Sequence, residues 1–96
     1  MLCNDRPIQQ LLKWLITTTR GGKTRAQIIK ALKKSPQNTN QLATKLKRSY
    51  KTIEHHLSVL EKNKLVTAVG DNYATTYFLS TPMEENYVIF QDITSR

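Results

Sequence analysis

Cysteine, glycine, proline and long apolar runs are all scarce in this chain, and each scarcity excludes a class of protein. Its 96 residues include one cysteine, which allows neither an internal disulfide nor a Cys-x-x-Cys metal pair, and we expect a reducing, cytoplasmic setting. Three glycines and three prolines predict a compact domain without a flexible linker. No apolar run approaches the roughly 20 residues of a membrane span, and we expect no membrane partner.

Side-chain sets that carry catalysis or hold a metal are also missing. The sequence contains neither a glycine-rich phosphate loop nor a recognisable Ser-His-Asp set. Glu84 and Glu85 are neighbours, but they are better explained as first-turn charges that favour a helix dipole. His55 and His56 diverge by about 100° on a helix and lack a cysteine or acidic cluster beside them. We therefore expect no enzyme, no cofactor and no metal site.

Positive charge dominates the composition and is concentrated in the middle of the chain. The formal net charge is +8. Residues 20–64 carry twelve lysines and arginines against two glutamates, whereas residues 65–96 carry four acidic residues against one arginine. A segment this basic is typical of a polyanion-binding surface. Nucleic acid is the favoured partner, and a solvated face or an acidic protein or membrane partner are the alternatives.

The spacing of apolar residues predicts a mainly α-helical chain with a small β-hairpin. The predicted helices span residues 6–19, 24–34, 39–46, 50–62 and 82–94. Two runs rich in Val, Thr and Tyr, at 65–69 and 73–79, flank a Gly-Asp-Asn turn and predict the hairpin. The last helix has Thr81 as its predicted N-cap, because Pro82 and Glu84 follow it.

Capping residues predict where other helices begin and end. Asn38 and Gln41 form a predicted capping box at the start of the third helix, and Ser49 is the predicted N-cap of the fourth. Asp5 is the predicted cap of the first helix. We expect Asn63 to supply the left-handed residue that ends the fourth helix.

The fourth helix has two faces of opposite character. Ile53, Leu57 and Leu60 recur at helical spacing and must face the core, and His56 beside them is expected to be a partly buried packing residue. The opposite face carries hydrogen-bond donors, which suit a major groove lined by acceptors and phosphates. Tyr50 is expected either to touch DNA or to cover the core. The predicted DNA-binding residues are Lys47, Arg48, Ser49, Tyr50, Lys51, Thr52, His55, Ser58 and Lys62.

Additional contacts to the phosphate backbone are predicted outside the fourth helix. A basic loop around Gly21-Gly22 is one candidate, with a merely solubilising loop as its alternative. The start of the third helix is another, because exposed backbone N–H groups favour anions there. The residues predicted to contact phosphates are Arg20, Lys23, Arg25, Thr39 and Asn40.

The stretch NQLATKLKRSYKTIEHHLSVLEKNKLV, with the later TTYFLS, resembles the winged helix-turn-helix domain of the ArsR-like superfamily of transcription regulators. The resemblance is to small archaeal members and covers residues 24–80. It implies a regulator that binds specific double-stranded DNA, with the fourth helix in the major groove. Metal-sensing members carry a Cys-x-Cys-type ligand set that this chain lacks, and we expect no metal sensing. Lys64 stands where the family often has Gly, and Asp71 and Asn72 occupy the wing tip, where members often carry Arg or Lys.

The resemblance also implies a use for the extra terminal helices, 6–19 and 82–94, because ArsR-like regulators pair through theirs. A homodimer is therefore expected, and a monomer with both helices folded back is the alternative. The residues predicted at the dimer interface are Leu11, Trp14, Leu15, Tyr87 and Phe90. The alternative function is a winged-helix module that binds protein or RNA without operator specificity.

Overall fold

The structure is a computed structural model that describes residues 6–71 and 74–95, so predictions for Asp5, Asn72 and Tyr73 lie outside the described residues. The prediction of a mainly helical chain with one hairpin is confirmed. Its elements are α1 (Arg6–Lys13), which continues as a π-helical turn (Trp14–Thr18), α2 (Gly22–Lys34), α3 (Thr39–Leu46), α4 (Tyr50–Lys62), β1 (Val66–Gly70), β2 (Thr75–Leu79), α5 (Thr81–Glu85) and α6 (Tyr87–Thr94).

The first helix ends in a run of three threonines. The hydroxyl of Thr18 donates to the carbonyl of Trp14 over 2.8 Å, and that of Thr19 donates to Leu15 over 3.0 Å. Threonine hydroxyls that bond four residues back compete with the regular helix ladder and bend it. The widened π-helical turn at Trp14–Thr18 lies where this competition occurs.

Helix α2 begins earlier than predicted, at Gly22. Gly21 has a φ of 90°, in the left-handed region that glycine adopts without strain. A Cβ on Gly22 would lie 2.0 Å from the carbonyl oxygen of Ile16, so only glycine permits this close approach. The predicted basic loop around Gly21-Gly22 is therefore shorter than expected, because Gly22 and Lys23 already lie in the first turn of α2.

The helix caps around the helix-turn-helix turn are confirmed. The Asn38 side chain accepts from the Gln41 amide over 2.8 Å, and the Asn38 amide donates to the Gln41 side chain over 2.9 Å. The Ser49 hydroxyl accepts from the amide of Thr52 over 3.1 Å. These bonds fix the start of α3 and α4 and hence the geometry of the turn between them.

Two predicted helix boundaries are wrong by one residue. Asn63 has a φ of −91°, and Lys64, with a φ of 61°, is the left-handed residue after α4. The Asn63 side chain donates to the carbonyl of Val59 over 2.8 Å, and this residue keeps a negative φ. The N-cap of α5 is Ser80, and Thr81 is the first helical residue.

The hairpin packs against the helices through β2. The strands are antiparallel, with Val66 opposite Leu79 and both side chains buried. Gln37, between α2 and α3, forms a bridge with Tyr77, whose amide donates to the Gln37 carbonyl over 2.8 Å. The base of the wing is therefore attached to the helix-turn-helix unit.

The terminal helices fold onto the same core as the central ones. The predicted helix over 82–94 is broken at Asn86, whose side chain donates to the carbonyl of Pro82 over 2.8 Å. Leu15 is 1% exposed and Phe90 is fully buried, so the prediction that these two lie at a dimer interface is wrong. The fully buried side chains are Leu12, Leu15, Ile28, Ile29, Leu42, Ile53, Leu57, Leu60, Leu65, Met83 and Phe90.

Candidate nucleic-acid interface

Helix α4 presents one apolar face to the core and one polar face to solvent. Ile53, Leu57 and Leu60 are fully buried, as their spacing predicts. The opposite side forms a stripe of exposed side chains that can all donate hydrogen bonds. The stripe consists of Lys51, His55, Ser58 and Lys62.

The turn before α4 brings two further cations to its N-terminus. Lys47 adopts the left-handed conformation, with a φ of 57°, and both Lys47 and Arg48 are exposed. A lysine in this region is strained relative to glycine, and such strain is concentrated at functional sites. Tyr50 is 47% exposed, so it does not cover the core.

The hydroxyls of Ser49 and Thr52 form hydrogen bonds at the N-terminus of α4. Ser49 caps α4, and its hydroxyl also donates to the Thr52 hydroxyl over 2.9 Å. Both residues remain exposed. Their side chains therefore lie at the protein surface beside Lys51 while they hold the first turn of α4 in place.

Of the residues predicted to contact phosphates, some are exposed and others are buried. Arg20, Lys23 and Asn40 are exposed. Thr39 is buried, and its side chain lies close to the Tyr77 hydroxyl. Burial, followed by the nearby carboxylate of Glu61, raises the pKa of Tyr77. Thr39 thus supports the contact between α3 and the wing.

Arg25 is not a surface residue, so its predicted phosphate contact is wrong. It is 5% exposed, and its Nε donates to the carbonyl of Leu15 over 3.1 Å. One terminal nitrogen contacts Nδ1 of His56 over 3.1 Å, and the other donates to the Thr19 hydroxyl and to the Arg20 carbonyl over 3.2 Å. Burial lowers the pKa of Arg25.

His56 is buried at 8% exposure, in agreement with the packing role predicted for it. Burial lowers the pKa of His56, and the positive charge of Arg25 lowers it further. The imidazole is therefore neutral at neutral pH. Because a guanidinium can only donate, Nδ1 of His56 accepts the hydrogen bond from Arg25.

The sequence interpretation missed the exposed face of α3. Gln41, Thr44 and Lys45 are exposed, and with Gln37 and Asn40 they line an open groove of about 420 Å³. The signal was available, because Leu42 is buried and helical spacing then turns these three residues outward. In a helix-turn-helix the first helix crosses the DNA backbone, so this face belongs to the candidate interface.

The wing differs from the helices in charge. Residues 65–80 contain neither lysine nor arginine. Val69 is 55% exposed and Phe78 is 38% exposed on the hairpin. The wing therefore offers apolar contact where the helix-turn-helix offers cations.

Metal-binding side chains do not cluster in residues 6–71 and 74–95, where no group of three or more His, Cys, Asp or Glu comes together. The rings of His55 and His56 lie 5.3 Å apart and are tilted by 59°. Within the same described ranges, no helix is long and apolar enough to cross a membrane.

A helix, a tight helix-turn-helix and an attached hairpin together define the winged helix-turn-helix fold. Residues 22–68 match the family described as "Bacterial regulatory protein, arsR family". The matched residues include α2, α3 and α4 and extend into β1. No curated protein is a significant match to the sequence.

Solved structures of regulators share this fold over nearly the whole chain. The transcriptional regulator HlyU from Vibrio vulnificus CMCP6 aligns with a TM-score of 0.68 at 21% identity, over 93% of this chain and 88% of that one. The reduced form of the transcriptional regulator YodB from B. subtilis aligns with a TM-score of 0.69 at 19% identity, over 99% and 90%. The adhesin competence repressor AdcR from Streptococcus pyogenes aligns at 0.65 and 18%, over 93% and 65%. They confirm the winged helix fold.

Proposed function

We propose that this chain is a single-domain, dimeric transcription regulator of the arsR family, of the small archaeal type, that binds specific double-stranded DNA. The observation that carries the proposal is the exposed stripe of α4, where all four side chains donate hydrogen bonds and the opposite face is fully buried. The major groove admits one helix and is lined by acceptors. We therefore call α4 the recognition helix.

The roles within the interface follow from side-chain chemistry. Lys51, Lys62, Lys47 and Arg48 contact phosphates and set affinity, because phosphate contacts carry most of the binding energy. His55, Ser58 and Lys51 are the candidates for base edges. Additional phosphate contacts come from the exposed side chains of Arg20, Lys23 and Asn40 at the edges of this surface.

A fluorescence anisotropy titration against duplex DNA tests this proposal. We expect affinity to fall steeply as salt rises from about 50 to about 200 mM, because bound phosphates release counterions. The double variant Lys51→Ala/Lys62→Ala removes about four contacts from a dimer, which flattens the salt slope by about 0.9 for each and lowers affinity about a hundredfold.

The matched control is Lys30→Ala/Lys34→Ala, which removes the same charge from exposed lysines that line the groove between α2 and α6. We expect the control to bind duplex DNA within about threefold of the unmodified protein, because it loses only long-range attraction. Equal losses for the two variants would mean that α4 is not the interface. Tight binding to RNA or to an acidic protein, with duplex affinity no better than about 10⁻⁴ M, would favour the interaction module instead.

We propose that the dimer forms through exposed apolar side chains of the terminal helices. Trp14, the first residue of the π-helical turn after α1, is 57% exposed, and Val88 is 74% exposed on α6. The half-buried side chains of Leu11 and Tyr87 lie on the same helices. A second copy is the occupant that the resemblance to ArsR-like regulators implies, and two half-sites about one helical turn apart require two recognition helices.

Light scattering at micromolar concentration measures this assembly. We expect the mass of a dimer for the unmodified chain and that of a monomer for Trp14→Glu, which places a charge in the apolar contact. Val69→Glu is the control, because Val69 is a similarly exposed apolar residue on the wing. A monomeric unmodified chain, or a dimeric Trp14→Glu, would contradict the proposed interface.

We further propose a cytoplasmic location and a mechanism without metal or cofactor. A regulator that binds DNA must be located in the compartment that holds the DNA. Every role assigned above is carried by a protein side chain, so the mechanism requires binding alone.

A further inference from the structure

Three separate segments of the chain meet at the side chain of Arg25. Leu15, Thr19 and Arg20 belong to the end of the first helix and the loop that follows it, and each accepts a hydrogen bond from the guanidinium. Arg25 itself lies in α2, and His56 lies in the recognition helix. One buried side chain therefore connects the end of α1 to the helix proposed to read DNA.

The guanidinium also occupies a favourable electrostatic position. The last carbonyls of a helix lack partners within it and carry partial negative charge. The Leu15 carbonyl accepts from both Arg25 and Thr19, over 3.1 and 3.0 Å. Arg25 thus satisfies carbonyls at the C-terminal end of the first helix while its remaining N–H groups reach His56.

The connection requires a neutral imidazole. A guanidinium carries N–H donors and no acceptor, so it can bond His56 only while Nδ1 carries no proton. The two nitrogen atoms are 3.1 Å apart in a site where both residues are under a tenth exposed. A proton on Nδ1 would remove the acceptor and place two positive charges in contact.

The imidazole also packs closely against the loop before α2. Gly21 packs directly on the ring, since a Cβ at that position would lie 2.6 Å from Cε1 of His56 and 3.3 Å from a terminal nitrogen of Arg25. A larger residue at position 21 would therefore collide with the ring. The bond between Arg25 and His56 thus lies within the contact between this loop and the recognition helix.

Among the described residues, the titratable groups around His56 include no carboxylate that would stabilise a protonated imidazole. They are Arg25 from α2, His55 from α4 itself and Arg48 from the turn before α4. Each of them is positive when charged. The bond between Arg25 and His56 is therefore maintained at neutral pH and lost on acidification.

We propose that Arg25 is a positioning residue for DNA binding, which holds the recognition helix against the end of α1 through neutral His56, so that protonation of His56 weakens DNA binding. This inference rests on the proposed function. If the dimer forms through the terminal helices, the angle between α1 and α4 sets the spacing of the two recognition helices. Releasing this contact then spoils that spacing without touching any DNA-facing side chain.

The test separates the two adjacent histidines. His55 is exposed on the DNA-facing stripe, so it is replaced in both variants to leave His56 as the only difference between them. We therefore compare His55→Gln with His55→Gln/His56→Gln at constant ionic strength. Glutamine can accept from Arg25 through its carbonyl oxygen but does not titrate.

We expect the duplex affinity of His55→Gln to fall at least threefold from about pH 7.5 to about pH 5.5, because both copies in a dimer bind in the unprotonated form. The double variant should change by less than about twofold over that range. Parallel pH profiles for the two variants, or an affinity of His55→Gln that rises with acid, would overturn the inference.

Imidazole nitrogen NMR of the unmodified chain without DNA supplies an independent measurement. We expect Nδ1 of His56 to be unprotonated at neutral pH and His56 to titrate below the ordinary pKa of histidine. Arg25→Gln, which removes the neighbouring positive charge, should raise the pKa of His56 toward its ordinary value. A His56 that is charged at about pH 6 would overturn the inference whether or not the glutamine variants fold. A neutral His56 in a chain that fails to bind any duplex would instead count against the proposed function.

Discussion

The helix-turn-helix unit and the terminal helices contribute to one core but present opposite surfaces. On α3 and α4 the exposed positions are mainly polar, and the cations Lys45, Lys51 and Lys62 are among them. On the terminal helices two large apolar side chains are exposed, namely Trp14 and Val88. Cations at a surface attract phosphate, whereas exposed apolar groups favour contact with protein. The contrast supports the proposal that DNA binds one side of the chain and a second copy binds the other.

The wing combines a property of each region, because it is attached to the helix-turn-helix unit but carries no cations. It is anchored to the helix-turn-helix unit through the bridge between Gln37 and Tyr77, yet its residues 65–80 lack cations. Glu54 and Glu61, on the flank of α4 that faces Tyr77, add negative potential there. DNA contact is therefore expected to be strongest at the N-terminal end of α4 and along its central stripe.

The largest predicted effect is on the free energy of unfolding, and it distinguishes a buried from an exposed residue of α6. Phe90→Ala should lower the free energy of unfolding by about 3 to 5 kcal/mol, because it leaves a cavity in the shared core. Val88→Ala, two residues away on the exposed side of α6, should change it by no more than about 0.5 kcal/mol. Urea denaturation followed by circular dichroism measures both. A small loss for Phe90→Ala would mean that the terminal helices do not belong to the core.

A smaller effect is predicted for two lysines with a left-handed backbone conformation, which should differ in their contribution to DNA affinity. Lys47 and Lys64 both have a positive φ and are both exposed, so glycine at either position should stabilise the fold by about 0.5 to 1 kcal/mol. Only Lys47 lies in the turn before α4. Lys47→Gly should therefore also lower duplex affinity by about tenfold, because a dimer loses two phosphate contacts.

Lys64→Gly serves as the control for that pair, since it removes the same charge and relieves the same strain at the start of the wing. Thermal unfolding and an anisotropy titration on both variants complete the measurement. If Lys64→Gly weakened DNA binding as much as Lys47→Gly, the division between the helix-turn-helix surface and the base of the wing would be wrong.

Local patterns in the sequence predicted much of the fold. Helical spacing predicted the buried face of α4, and the capping residues Asn38 and Ser49 predicted two helix starts, because both signals depend on residues within one turn of each other. The boundary errors at Asn63 and Thr81 have a local cause as well. In each case the adjacent residue took the role, since Asn63 bonded back into its own helix and Ser80 lay one position earlier.

The candidate site was harder to predict, because the residues that were assigned wrongly are held by contacts with residues distant in sequence. Arg25 looks like one more cation in a basic segment, and only the fold brings His56, 31 residues away in sequence, against it. Leu15 and Phe90 have the apolar character of interface residues. Their burial depends on how the two terminal helices cross the central core, which helical periodicity does not specify.

Selection of bound sequences from a random duplex library tests the central claim most directly, because it measures DNA recognition and dimer symmetry together. A dimer that presents two recognition helices predicts an enriched site made of two inverted half-sites about 10 base pairs apart, centre to centre. Enrichment of one unpaired half-site would contradict the dimer. The absence of any enriched sequence, with salt-sensitive binding to all duplexes alike, would contradict the sequence-specific regulator itself.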